Sequence, residues 1–443
     1  MHARGEPVSE KNIFVIGLDE GNLPTLREVP GAEKYRFHGL LTMEELQVGE
    51  VSVAGLLEKA QGVLDSFDGS IDAIVGYWDF PVSTLVPLLS QRYGTHSTSL
   101  ESVVKCEHKY WSRLEQQKAI AEHPRFGRVD LEAADPKPPE GVRFPMWLKP
   151  ALSYSSELAF GVKNEEEFRD AVAEIREGIS RIGRPFEYIL DQLELPPEME
   201  GVGGQVCLAE EAITGIQVAV EGYVRNGEVK VYGTLDSINY PDSSSFLRHQ
   251  YPSALPEPVV RRLRDVSERV MRQIGMDAAT FSIEYFYDPQ TDEINLLEIN
   301  PRHSQSHAEL FEYVDGVPNH HCMLSLALGE DPSLPDGAGP YTHAAKWYFR
   351  WFADGLVHSV PTQEDIDRIE REIPGVRLHM VPEEGQRLSR MPEQDSYSFE
   401  LAHIFTGGDG EEDMREKYDR CIAALSRALS ATAPGTEAEP TAG

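Results

Sequence analysis

The stretch Thr280–Arg302, TFSIEYFYDPQTDEINLLEINPR, decides how the rest of the chain is read. Phe281–Tyr287 and Ile294–Arg302 read as two strands. Between them, Asp288-Pro289-Gln290-Thr291-Asp292 is dense in turn formers. Residues two apart on a strand share a face, so Glu298, Asn300 and Arg302 point the same way. Glu284, near the middle of the first strand, can face Glu298 across the pair. Two carboxylates and an amide oxygen form a hard oxygen set of the kind that suits Mg²⁺, or Mn²⁺ in its place. Arg302, just beyond, suits a phosphoryl oxygen or a carboxylate. A bare E-x-N pair is most often solvated. Here the second strand is otherwise apolar (Ile294, Leu296, Leu297, Ile299), and charge set among such residues calls for a partner or a metal.

With 443 residues the chain is long enough for two or three domains. A net charge of −33 disfavours nucleic acid and anionic membranes as partners. A polyanionic ligand would then need a local basic site. No run approaches a transmembrane span, and the start is too weakly apolar for a signal peptide. Cys106, Cys207, Cys322 and Cys421 lie far apart without metal-ligand spacing, which fits a reducing, cytoplasmic setting.

Asn12–Leu18 and Ile71–Trp78 read as buried parallel strands alternating with helices, the pattern of a small doubly wound α/β domain. Its strand-end loops near Asp19 and Asp79 are candidate substrate sites. No G-x-G-x-x-G follows the first strand, which weighs against a dehydrogenase. Residues 101–120 read as one amphipathic helix carrying Lys105 and Lys109. Met146–Lys149 reads as a strand ended by Pro150, then a polar loop at Ser153–Ser156 and a returning strand. Such a loop can lay N–H groups and hydroxyls against phosphates, although from the residues alone a plain hairpin is the more common reading. Phe186–Leu190 and Val206–Ile213 flank a glycine-containing loop. Further strands follow, joined at Thr214-Gly215 and at the hairpin signal Asn226-Gly227. Glu257–Ile274 is an amphipathic helix whose stripe is core, closed by Gly275. His303, His307, His320 and His321 lack zinc-ligand spacing and read as solvated or capping residues, with His307 near enough to Arg302 to line a pocket. In His343–Pro361, Lys346, Tyr348 and Arg350 alternate with Trp347, Phe349 and Trp351. That gives a strand with one basic and one aromatic face. Glu411–Leu429 reads as a helix and the last residues as disordered.

These features resemble the ATP-grasp superfamily, which includes D-alanine–D-alanine ligase and biotin carboxylase. The resemblance covers roughly residues 12–430 and is strongest over 146–168 and 206–307. It implies an α/β fold in which an N-terminal domain (1–105) precedes an ATP-grasp domain (106–335) with a mobile lid at about 146–215. A C-terminal α/β domain (336–430) and a disordered tail (431–443) follow. It makes Glu284, Glu298 and Asn300 the magnesium ligands. Lys109 and Lys149 become phosphate-binding lysines, with Ser155 and Ser156 in the covering loop. That loop normally carries glycines, and the serines and tyrosine here depart from the pattern. Glu210, Glu211 and Ile213 fall at the adenine hinge. Gln217 takes the place of a ribose-binding glutamate, and His249 joins the nucleotide-binding set. Arg302, Ser304, His307, Tyr348 and Arg350 become the substrate set, with Arg302 and Lys149 catalytic.

The expected activity is ATP-dependent joining of a carboxylate and an amine through an acyl phosphate, with ADP released. A biotin-dependent carboxylase component and a non-catalytic nucleotide-binding module are the alternatives; a homodimer is left open. Against the carboxylase, Phe246–Tyr251 ends in Tyr251 where that enzyme's segment ends in lysine. Ser304 and Ser306 stand where it has a glutamine and a glutamate base, and Tyr348 stands where it keeps an arginine.

Overall fold

Apolar runs with little alternation predict strands buried on both faces, and the N-terminal strands are of that kind. In the computed structural model Lys11–Ile16 pairs in parallel with Ala73–Val75 on one side and with Tyr35–Leu40 on the other. Tyr35–Leu40 has no strong strand signal, because its sequence, YRFHGL, carries only a partial apolar pattern. The structure describes residues 10–47, 52–152, 158–391, 394, 398–426 and 429–432. The expected loop at Ser153–Ser156, with Ser155 and Ser156, lies outside them.

The chain divides into two compact units. The first comprises the described residues up to Thr234 together with Leu255–Gln305 and Asn319–Leu334. Besides the parallel sheet it holds a four-stranded antiparallel sheet. Its order is Phe126–Val129, Cys207–Glu211, Met146–Pro150, Phe160–Val162. A third group runs Glu293–Asn300, Ala279–Asp288, Ile216–Arg225, all antiparallel. The helix Glu257–Ile274 lays Val259, Leu263, Val266, Val270 and Met271 on this group. They pack with Val218, Val220, Phe281, Ile283 and Leu296 in one core. Gly275, at φ 76°, closes that helix as its sequence indicates.

One helical reading needs correction. Residues 101–120 form two helices, Leu100–Glu107 and Lys109–Ala119, broken at His108. The His108 ring accepts from the Trp111 N–H at 3.2 Å and so caps the second helix. Phe186–Leu190 is the last turn of a long helix, Glu165–Leu190, which Asn164 caps through the N–H groups of Glu166 and Glu167. The histidines also differ from expectation. His303, His307 and His320 are buried, not solvated.

The second unit gathers Leu235–Ala254, Ser306–Pro318 and the described residues from Pro335 onward. Within it Phe246–Tyr251, His343–Trp351, Phe399–Gly408 and Val376–Met380 pair antiparallel in that order. The helices Gln363–Glu372 and Glu411–Leu425 cover one face through Ile369, Met414, Cys421 and Leu425. Ser430–Thr432 pairs with Leu356–Ser359, so structure extends into the stretch expected to be disordered. All four cysteines are buried and free. Among the described residues no helix is long and apolar enough to cross a membrane.

Gly222 stands opposite Phe281 in the strand register. A Cβ there would meet the Phe281 ring and lie 2.5 Å from the Lys230 carbonyl oxygen. Overpacking of this sort costs about 1–3 kcal/mol. Gly222→Ala should therefore lower the unfolding free energy by that amount, read as a lower urea midpoint at an unchanged m-value.

Candidate functional site

The break at His108 turns the next helix so that its first residue faces inward. Lys109 N donates to the Ala151 carbonyl at 2.8 Å, and its buried side chain brings Nζ 2.9 Å from Glu298 Oε1. One turn on, Arg113 is only 2% exposed. Its Nε donates to Glu210 Oε1 at 2.6 Å, and Nη1 and Nη2 donate to the carbonyls of Leu296 and Leu297 at 2.9 and 2.8 Å. Lys149 reaches the other oxygen of the same acid, Nζ to Oε2 at 2.6 Å. Burial alone would raise the Glu210 pKa. The Arg113 and Lys149 charges more than offset that and hold it at about 2. Glu210 is thus a buried anion between two cations rather than an acceptor open to a base. Glu211 points the other way and pairs with the exposed Arg143 at 2.8 Å; Ile213 is half-buried.

The hairpin places Glu284 directly opposite Glu298, and Ser282 opposite Asn300. Gln217 donates to Glu284 Oε2 at 2.9 Å, so this amide supports the carboxylate pair rather than standing free for a ribose. Burial, and after it the Glu298 charge, raise the Glu284 pKa to about 7. Among the described residues Glu284 Oε1, Glu298 Oε2 and the Asn300 amide have no hydrogen-bond partner. Among the same residues no three His, Cys, Asp or Glu side chains gather as a metal cage. The set is two carboxylates and one amide, and three open hard oxygens beside mutually repelling acids fit a divalent cation.

Arg302 is held by a two-pronged ion pair to Asp79, 2.7 Å from Nε and 2.6 Å from Nη2, and Nη1 donates to the His303 carbonyl at 3.2 Å. The sequence points to the Asp79 loop but not to its partner. Asp19, the other loop acid, accepts from Tyr77 Oη and Asn22 N–H, each at 2.9 Å. Ser304 enters through its backbone: its N–H meets Glu221 and its carbonyl accepts from Asn319. Two residues of the site are missing from the sequence reading. Arg113 has a signal, since it lies four residues after Lys109 and shares its helix face. Glu107 has none. Burial and then the charge of Asp79 raise its pKa to about 7, while Lys109 and Arg302 pull it down.

The remaining expected residues lie in the second unit. The His249 Nδ1 is 3.0 Å from Ser237 Oγ, and its ring lies 5.0 Å from that of His307. Tyr348 packs on His249 and His403. Arg350 already has an anion of its own. It pairs with Glu400 at 2.5 Å and donates to Ser398 Oγ and the Phe246 carbonyl, each at 3.0 Å.

A family model for the ATP-grasp domain matches residues 142–308. The chain is 37% identical over 160 residues to the carbamoyl phosphate synthase large chain of Xylella fastidiosa. That match takes in 34% of this chain and 14% of the relative's length. It is 32% identical over 102 residues to the D-alanine–D-alanine ligase of Acidiphilium cryptum, 22% of this chain and 33% of that protein. In structure it resembles an L-amino acid ligase from Bacillus licheniformis (TM-score 0.69, 14% identity, 96% of this chain and 100% of that one). It also resembles a biotin carboxylase from Campylobacter jejuni (TM-score 0.62, 15% identity, 96% and 93%). A strand hairpin carrying paired acids stands with buried lysines from a neighbouring helix and strand in an α/β protein. Residues 142–308 therefore match the ATP-grasp domain, and the fold resembles that of a ligase and of a carboxylase.

Removing the charge of Glu210 would leave Arg113 and Lys149 buried without a counter-ion, a change that costs about 3–5 kcal/mol. Glu210→Gln should lower stability by that amount at neutral pH. Because the folded pKa is depressed, this contribution is present above the usual glutamate pKa and is lost as pH falls towards 2. The gap between variant and wild type in denaturant titrations should close over that window. For the carboxylate pair, a metal must displace the proton that Glu284 holds up to about pH 7. Mn²⁺ affinity, read by calorimetry without nucleotide, should rise roughly tenfold per pH unit up to about 7 and then level off. Affinity independent of pH across that range would contradict the assignment.

Proposed function

We propose that the protein is an ADP-forming carboxylate–amine ligase. The observation that carries this reading is the unmet oxygen set of Glu284, Glu298 and Asn300 beside two buried lysines. Each lysine ammonium has three N–H donors. Lys149 therefore keeps donors for phosphate oxygens while paired with Glu210, and Lys109 brings its charge beside Glu298. Glu284, Glu298 and Asn300 would hold Mg²⁺, which neutralises crowded phosphate charge when bound. A substrate carboxylate oxygen attacks the γ-phosphorus of ATP and the bond to ADP breaks, leaving an acyl phosphate. The amine then attacks the acyl carbon, and phosphate departs as the amide forms. Arg302, oriented by Asp79, supplies fixed positive charge for the oxyanion of that second step.

The carboxylase alternative needs a cation at position 251. Tyr251 is buried, and its hydroxyl donates to Asp315 Oδ2 at 2.9 Å. Ser306 offers a hydroxyl where that chemistry needs a carboxylate base. The likeness to an L-amino acid ligase and the match to a D-alanine–D-alanine ligase support amide-bond formation here as well. The absence of a membrane-crossing helix among the described residues and the four free cysteines support a cytoplasmic reaction.

Purified protein with ATP, Mg²⁺ and hydroxylamine should convert the correct carboxylate to a hydroxamate, and a panel of acids and amines should identify the pair that drives ADP release. Glu298→Gln should lower that turnover about 10²-fold or more while the far-ultraviolet spectrum is kept. ATP hydrolysis that depends on bicarbonate and biotin would overturn the ligase reading.

A further inference from the structure

Lys346 lies in the middle of the strand His343–Trp351, between His249 on one neighbouring strand and Phe405 on the other. It is 7% exposed. Its Nζ donates to Ser306 Oγ at 3.1 Å and stands over the rings of Tyr348 and Phe405, 5.0 and 5.5 Å from their centroids. Among the described residues no carboxylate forms an ion pair with it. The acids that feel its charge are otherwise occupied. Glu400 is bound by Arg350 and by His403, 2.6 Å away. Burial pushes the Glu309 carboxyl up to about 7, so near neutrality it gives only part of a charge.

A buried ammonium without a counter-ion is unfavourable, and ring faces offset only part of that. The neighbouring cation, Arg350, stands 5.3 Å from the centroid of the same Tyr348 ring and is paired with Glu400. Burial first, and Lys346 among the neighbouring charges, keep His249 and His403 neutral near pH 7. Arg350, the residue the sequence offers for a substrate carboxylate, already has its anion. What remains is one positive charge, one hydroxyl and aromatic walls.

We propose that Lys346 and Ser306 bind the carboxylate of an organic substrate. A single ammonium balances a monoanion, whereas a phosphate dianion would leave negative charge uncompensated beside Glu309 and Glu400. The inference rests on the ligase reading in one respect, that the substrates include a free carboxylate.

The test is calorimetry on the full chain without nucleotide or metal, using the proteinogenic L-amino acids as probes and the carboxamide of each as its control. At least one amino acid should bind, with its carboxamide about tenfold weaker or worse. Lys346→Met should weaken that binding about tenfold or more and Ser306→Ala by a smaller factor, and inorganic phosphate should not compete. Mn²⁺ affinity should be unchanged in both variants. Should Lys346→Met fail to fold, Ser306→Ala and the carboxamide comparison still decide. Binding by none of the amino acids, equal binding of acid and carboxamide, undiminished binding in the variants, or displacement by phosphate would each overturn the proposal. Failure of the ligase reading looks different: carboxylate binding at Lys346 persists, but no acid–amine pair drives ADP release.

Discussion

The buried triad of Arg113, Glu210 and Lys149 is the interaction on which the first unit depends. Arg113 comes from a helix, Glu210 and Lys149 from neighbouring strands of one sheet, and the same guanidinium holds two carbonyls of the acid-bearing hairpin. Desolvated charges tolerate little displacement, because each loses its compensation when a partner moves. The triad therefore fixes where the hairpin stands relative to the lysines. It also carries two positive charges against one negative. A phosphate-bearing ligand would find that surplus already built and already ordered.

The two units hold opposite imbalances. In the first, two carboxylates face each other across a strand pair with a single lysine between them and neutrality. In the second, a lysine sits among neutral histidines and aromatic rings. Neither arrangement is what a stability argument alone would select, since apolar residues of similar volume would serve a core better. Both fit the proposed sites, where the missing charge would arrive with a ligand.

The hairpin is legible in the sequence because its signal is local. Strand alternation and a dense turn are enough to put Glu284 across from Glu298, and the register bears this out. The core stripe of Glu257–Ile274 is legible for the same reason. Residues whose meaning depends on a distant partner are not. The ion pairing of Glu210 cannot be read until Arg113, 97 positions away, is placed against it. Arg350 reads as open until Glu400 is brought beside it. The histidines at 303, 307 and 320 look polar in sequence, yet their surroundings are set by chain folding over long separations. The break at His108 hides within an otherwise regular helical pattern, because one residue's capping geometry leaves almost no trace in periodicity.

The second unit is assembled from three separated segments. Phe246–Tyr251 pairs on one side with the chain just before it, at Asp236–Asn239, but on the other side only with His343–Trp351, and that strand in turn pairs with Phe399–Gly408. During synthesis from the N-terminus, the earlier strand must therefore wait for roughly a hundred residues of further chain, with one hydrogen-bonding edge unpaired. Non-local pairing of this kind is slow to form. The first unit can begin to consolidate while the second is still incomplete on the ribosome, and the exposed edge in that interval is where the nascent chain is most open to wrong pairing.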